Sequence, residues 1–199
     1  MVTSEVVPFA KAGGLGDMVA ALSAELDRQG HDVRIFLPRY YSVDIGRLQR
    51  VGQPLGVPLG EGEEWCAVYQ SRLPDAEVPV FFLDHEVLYG RDGIYGTRDE
   101  PSFSDNLKRF ALLSRGAFQL CRTLDWIPDV MHVHDWPAAV VPVCLYAREQ
   151  EGDFAATGSM LTIHNLGHQG IFPKEDFDYL PVSRDLYSSA GFESADGLN

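Results

Sequence analysis

The chain has 199 residues, is 45% hydrophobic and carries a formal charge of −13. That length and apolar content suit one large domain, or a domain with an appendage, around a sizeable core. The acidic balance, with no cluster of Lys and Arg, excludes a nucleic-acid binder that works by displacing counterions from phosphates. The longest apolar stretch, Ala138–Ala147, is too short to cross a bilayer and is broken by Pro142. The N-terminus has no basic n-region, so no secretory signal is expected. Cys66, Cys121 and Cys144 are odd in number, lie among apolar neighbours and form no CxxC pair. Buried reduced thiols in a cytoplasmic protein are the expectation.

In chain order, Val2–Val7 reads as a short strand. Asp17–Gln29 reads as a helix with Val19, Leu22 and Leu26 on one face and Gly30 as its stop. His31–Leu37 is a second strand, ended by Pro38. Arg39–Gly62 is polar and punctuated by glycine and proline, and reads mostly as loop. Trp65–Ser71 suits a half-buried strand, and Val78–Leu83 a strand covered on both faces. Glu86–Pro101, with Gly90, Gly93 and Gly96, reads as loop.

Helical period returns in Asp105–Leu120, where Leu107, Phe110, Ala111, Ser114, Ala117, Phe118 and Cys121 form a stripe. Asp129–Val133 is a strand. Pro137 suits the first turn of the following helix, and Pro142 is expected to kink it. Ser159–Ile163 is another strand. From about Phe172 the pattern weakens and no closing element is evident. Strands alternating with helices predict an α/β fold: a Rossmann-like parallel sheet flanked by helices.

Three motifs fall at expected strand ends, where open α/β sheets bind ligands. The first is Lys11–Asp17, "KAGGLGD". Side-chain-free Gly13, Gly14 and Gly16 let a ligand approach the backbone, and peptide N–H groups at a helix start favour an anion such as phosphate. Lys11 adds a mobile positive charge. The alternative is a plain tight turn with a surface lysine.

The second motif is His132-Val133-His134-Asp135-Trp136. Alternation places His132 and His134 on one face of a strand, a pair that can hold zinc. The alternative is one histidine packed in the core and one hydrogen-bonded at the rim. Asp135 and Trp136 stand where the strand hands over to a helix, and Trp136 offers a flat face for a sugar ring. The third motif is Thr162-Ile163-His164-Asn165, followed by Gly167-His168-Gln169-Gly170. Its polar pair suits sugar hydroxyls, or equally a turn.

Taken together and in order, "VTSEVVPFAKAGGLGDMVAALSAEL", "GHDVRIFLPRY", "DNLKRFALLSRGAFQL", "DVMHVHDWPAAVVP" and "LTIHNLGHQGIF" resemble the bacterial glycogen synthase and plant starch synthase family. The resemblance implies a GT-B-type glycosyltransferase plan, two Rossmann-like domains facing across a cleft. It further implies retaining transfer of glucose from ADP-glucose (UDP-glucose in some members) to the non-reducing end of an α-1,4-glucan, in glycogen biosynthesis, with no metal or cofactor. Residues 1–199 would be the N-terminal, acceptor-side domain, reading as truncated, with the C-terminal nucleotide-binding domain absent. The chain alone would then be inactive.

Carried over residue by residue, Lys11, Gly13 and Gly14 would sit against the donor diphosphate. His164 would face the transferred glucose and Asp135 would lie beside the reacting centre. Asp17 and Tyr95 would shape the cleft on the acceptor side, with Asn165 as a supporting polar group. The implied partners are ADP-glucose, α-1,4-glucan and the missing domain, with no nucleic acid and no membrane. His168 and Pro137 depart from the residues usual at those places in the family, and the opening strand starts late. Two other readings stand beside this one. One is a non-catalytic glucan- or nucleotide-sugar-binding module. The other is a metal-dependent hydrolase built on His132, His134 and Asp135, which lacks further ligands at fixed spacing.

Overall fold

A computed structural model describes residues 1–149 and 151–199 and divides the chain into two units: Met1–Gly56 with Trp65–Asn106, and Val57–Glu64 with Leu107–Asn199. In the first unit, helix α1 (Leu15–Arg28) begins two residues before the expected start, because Gly14 already holds near-helical angles, φ −79° and ψ −12°. Leu15, Gly16, Val19 and Ser23 are buried, while Leu22 and Leu26 are half-buried. Gly30, at φ +93°, ends the helix as expected.

Five strands follow, with the end of β3 and the start of β4 counted with the second unit: β1 (Ile35–Pro38), β2 (Gln49–Arg50), β3 (Leu55–Leu59), β4 (Gly62–Arg72) and β5 (Pro79–Asp84). They form one sheet in the order β1-β5-β4-β2, with β3 also on β4. β1 and β5 are parallel, whereas β4 runs antiparallel to both β5 and β2. The expected all-parallel sheet is therefore mixed. The cause is chain length: about half a dozen residues join β4 to β5, and a parallel pair needs a crossover of a dozen or more.

The expected strand Val2–Val7 does not form as a strand. Its start lies parallel to β1 through Phe36 N–H to Met1 O (2.9 Å) and Thr3 N–H to Phe36 O (3.1 Å). At Val6 the chain instead turns back, with Ala10 N–H donating to Val6 O at 2.9 Å. Two further segments expected as loop are ordered. β3 buries Leu55, Val57 and Leu59 in alternation, hidden in the sequence by Gly56 and Pro58, and helix α2 (Glu86–Tyr89) is a single turn. The unit's core joins Val6, Leu15, Val19, Ile35, Leu37, Tyr40, Val80 and Phe82.

In the second unit, helix α3 (Asn106–Thr123, its first residue counted with the first unit) buries every residue of the expected stripe. Leu112, Leu113, Leu120 and Arg109 are also fully buried, so the helix is enclosed on more than one face. Strands β6 (Val130–His134) and β7 (Gly158–Thr162) pair in parallel from Val130↔Gly158 to His134↔Thr162.

The helix after β6 is broken, as Pro142 predicts. Helix α4 (Asp135–Ala138) stops and α5 (Val140–Cys144) restarts, followed by a π-helical turn, Leu145–Glu149. Proline lacks an N–H and crowds the carbonyl four residues back, here Ala138, where the break lies. After Phe172 the expected blank is filled by strands β8 (Phe172–Pro173), β9 (Glu193–Ser194) and β10 (Gly197–Leu198), in the antiparallel order β8-β10-β9, with 3-10 turns at Lys174–Tyr179 and Arg184–Leu186. Two-residue strands and 3-10 turns carry too little periodicity to be read from sequence. Among the described residues no helix is long and apolar enough to cross a membrane.

Candidate functional site

The expected site residues fall into two clusters, one in each unit. In the first, the turn before α1 is built around a residue the motif analysis passed over. Glu5 is 3% exposed, and its Oε2 accepts the backbone N–H of Ala12 (2.6 Å) and of Gly13 (3.0 Å). Its Oε1 accepts the Tyr95 hydroxyl at 2.7 Å, and the Ser4 hydroxyl lies 2.7 Å from the Tyr95 hydroxyl oxygen. Burial, with Glu5 and Tyr40 adding to it, pushes the Tyr95 hydroxyl well above its ordinary pKa. Tyr95 therefore stays protonated and donates to the carboxylate, leaving Ser4 to donate to Tyr95. Asn106 fixes the Tyr95 backbone by donating its side-chain amide to Tyr95 O at 2.8 Å.

Lys11 is half-exposed and its Nζ lies 2.7 Å from Asp17 Oδ2, so these two expected residues meet as an ion pair. The three glycines of the turn differ in kind. A Cβ on Gly16 would meet Ala10 O at 3.0 Å, so the fold itself demands a small residue there. A Cβ on Gly13 or Gly14 would meet nothing within 4 Å. Their bareness serves no packing within the chain, and it leaves the backbone open to a ligand.

The second cluster stands at the C-terminal ends of β6 and β7. Asp135 lies at the strand-to-helix junction with φ +57°, a left-handed conformation uncommon for a non-glycine residue. Its Oδ1 accepts the backbone N–H of His164 at 2.7 Å, which ties the two strand ends together. His164 Nε2 lies 3.3 Å from Nδ1 of His134. His134 is fully buried and its Nε2 has no hydrogen-bond partner. Burial, then the neighbouring His132 and His164, lowers the His134 pKa from its ordinary value to about 3.

His132 is half-buried, and its Nε2 lies 2.7 Å from the Thr162 hydroxyl. The three imidazoles form a column, with centroids 4.2 Å apart from His132 to His134 and 5.5 Å apart from His134 to His164. Of the two readings of the HxH pair, the observed one places His134 in the core and His132 on a rim hydroxyl. Among the described residues no group of three His, Cys, Asp or Glu side chains is arranged to hold a metal ion.

Asn165 is drawn into a turn, its Oδ1 accepting Gly167 N–H at 2.8 Å. Trp136 packs among its neighbours. Its ring packs against Phe110 (centroids 5.0 Å) and Phe172 (5.5 Å), and Gly170 lies against it. The ring is half-buried by these contacts.

The starch synthase catalytic domain family matches this chain across residues 1–199. The chain belongs to that family. It is 50% identical over its whole length to a glycogen synthase of Treponema denticola and 41% identical to one of Myxococcus xanthus, covering 40% and 42% of those proteins. The chain thus spans about two fifths of the length of the curated relatives it matches. Among solved structures it resembles the catalytic domain of starch synthase IV from Arabidopsis thaliana bound to ADP and acarbose, with a TM-score of 0.86 and 25% identity, covering all of this chain and 41% of that one. The fold is accordingly the Rossmann-like N-terminal half of a GT-B starch synthase catalytic domain.

Within this family framework, the sequence motifs missed Glu5 and underrated His134. Glu5 carried a signal, a lone acidic residue inside the apolar opening "VTSEVVP". A carboxylate in such a place is buried only when it is paired or hydrogen-bonded.

Proposed function

We propose that this chain supplies the acceptor-side half of a glucan synthase. The enzyme transfers glucose from ADP-glucose to the non-reducing end of an α-1,4-glucan, with retention, in cytoplasmic glycogen biosynthesis. The observation that carries the reading is the whole-length match, at 50% identity, to a glycogen synthase. The ADP and acarbose on the starch synthase IV neighbour support a nucleoside diphosphate donor and a sugar acceptor.

The chemistry needed is stabilisation of a departing diphosphate while two sugars are held in register. Glu5 occupies the amides of Ala12 and Gly13. The diphosphate is therefore received further on, by Gly14 and the first-turn N–H groups of α1, which have no intrahelical partners. Lys11 turns from Asp17 toward the added charge. In the second unit, His164 faces the transferred glucose, and Asp135, already held by the His164 backbone, lies beside the reacting centre. Tyr95 and Asp17 shape the acceptor side, and Asn165 supports the turn after His164. The second domain brings the base pocket and closes the cleft against water.

The test is incorporation of labelled glucose from ADP-glucose into glycogen. The 199-residue chain alone is expected to give none, and turnover by the pure chain would overturn the need for a second domain. Retardation of the chain in a glycogen-containing gel without turnover is the outcome that favours the alternative, a glucan-binding module.

A further inference from the structure

We propose that His134 is a positioning residue that fixes the tautomer of His164, holding the mobile proton of His164 on Nδ1. The inference rests on the transfer reading only for its use, since the tautomer exists without substrate.

His134 Nδ1 and His164 Nε2 are 3.3 Å apart, and one of them must donate. If His164 donated, the only proton of neutral His134 would sit on Nε2. That nitrogen is buried and unpartnered, so an N–H would be orphaned there. Orphaned buried donors are the rarer kind of unsatisfied group. If His134 donates from Nδ1, its buried Nε2 keeps only a lone pair, and His164 Nε2 accepts.

Among the described residues, the column's neighbouring polar groups are engaged elsewhere. His132 spends its Nε2 on the Thr162 hydroxyl at 2.7 Å, and Asp135 spends Oδ1 on the His164 backbone rather than on its ring. Burial keeps His134 neutral, so it has one ring proton to place and one bond to place it in.

His164 is then a neutral imidazole in its Nδ1–H form, the less common tautomer of a histidine in water. It presents a fixed hydrogen-bond donor from an exposed side chain. A ligand hydroxyl or a developing negative charge beside His164 meets a donor that needs no proton rearrangement, as preorganised stabilisation requires. His134 touches no ligand in this scheme and acts through its neighbour.

The experiment is long-range 1H–15N correlation of the imidazole rings at neutral pH, on the chain without ligand. Expected are Nδ1–H, Nε2-bare patterns for both His134 and His164. His134→Leu is expected to return His164 to the Nε2–H form. His134→Asn, whose amide sits near the Nδ1 position, is expected to keep the Nδ1–H form. An Nε2–H or doubly protonated His164 in the unaltered chain overturns the proposal, and this spectrum decides even if the variants fail to fold. Retention of Nδ1–H in a folded His134→Leu variant overturns it as well. Failure of the unaltered chain to bind ADP or glucan, with His164 in the expected Nδ1–H form, counts against the transfer reading alone.

Discussion

The turn before α1 and the imidazole column at the ends of β6 and β7 are both candidate binding features, but they satisfy their polar groups in opposite ways. The turn is made of backbone, lies largely in solvent and is held from behind by the buried carboxylate of Glu5. The column is made of side chains, has a buried ring, His134, between half-buried His132 and exposed His164, and keeps one nitrogen of His134 without a partner. A backbone site can be stabilised by one well-placed acceptor and stay open to a ligand. A side-chain site passes its constraint from ring to ring and stores part of the cost at the buried one.

The largest expected effect lies in the column. The folded pKa of His134 is about 3, below the ordinary value of 6.5 for the unfolded chain. The unfolded state therefore binds more protons between those values, and stability rises with pH through that window. The contribution is complete above pH 6.5 and is lost as pH falls toward 3, up to about 5 kcal/mol. Urea unfolding at pH 7, 5.5 and 4 is expected to show this loss. His134→Leu is expected to remove it, leaving the decline that both proteins share, from the carboxylates and from His132, whose pKa burial also lowers. Parallel pH profiles for the two proteins would show that the column stores no such cost.

The turn is expected to respond through Glu5. Glu5→Ala removes two amide bonds and the Tyr95 contact and should cost about 2–3 kcal/mol in urea unfolding, with faster hydrogen exchange at Ala12 and Gly13. The amides themselves are exposed and rehydrate, which keeps the loss below that of a fully buried network. An unaltered exchange rate at those two amides would mean that Glu5 does not hold the turn.

This contrast also marks what the sequence made legible. Long periodic segments, α1 and α3, are readable because burial imposes a period on side chains, and strands β4 to β7 because short runs of apolar and β-branched residues mark them, although β7 itself is largely exposed. The direction of β4 was not marked by any motif, since strand polarity follows from connection length. The elements after Phe172 were too short to carry a pattern. At the site, glycines and paired histidines announced their places, because unusual residues at strand ends are rare. Glu5 and Tyr95 meet across ninety positions of chain, and neither identity nor spacing signals that contact. The packing of Trp136 is hidden for a related reason: its flat ring is visible in sequence, but its contacts with Phe172 and Gly170 are not.

Gly170 sharpens the comparison at the column's side. A Cβ there would meet Phe172 Cε2 at 2.9 Å and Trp136 Cε3 at 3.0 Å. Gly170→Ala must displace one ring, for about 1–3 kcal/mol, with a changed near-ultraviolet circular dichroism signal from Trp136. An unchanged signal and midpoint would show that the loop does not rest on the tryptophan. A smaller effect is expected at the turn from Asp17→Asn. Removing the carboxylate frees Lys11 from its exposed ion pair, and affinity for inorganic pyrophosphate should rise about two- to fivefold at low salt, less at high salt. Weaker binding would mean that Asp17 positions Lys11 rather than competing for it.

The smallest expected effect on stability is the most informative about function. Gly13→Ala and Gly14→Ala each add a methyl group where nothing lies within 4 Å. Gly14 already has φ −79°, which any residue adopts. Both variants should unfold within about 0.5 kcal/mol of the unaltered chain. If their glycines are there for a ligand, pyrophosphate and ADP should bind distinctly more weakly to the same well-folded variants, because the added methyl blocks approach to the backbone. Gly16→Ala is the internal control: its Cβ would crowd Ala10 O at 3.0 Å, so it should lose stability whether or not any anion binds. Equal binding by the Gly13 and Gly14 variants would leave the turn as a plain strand-to-helix connection and remove its claim on the donor diphosphate.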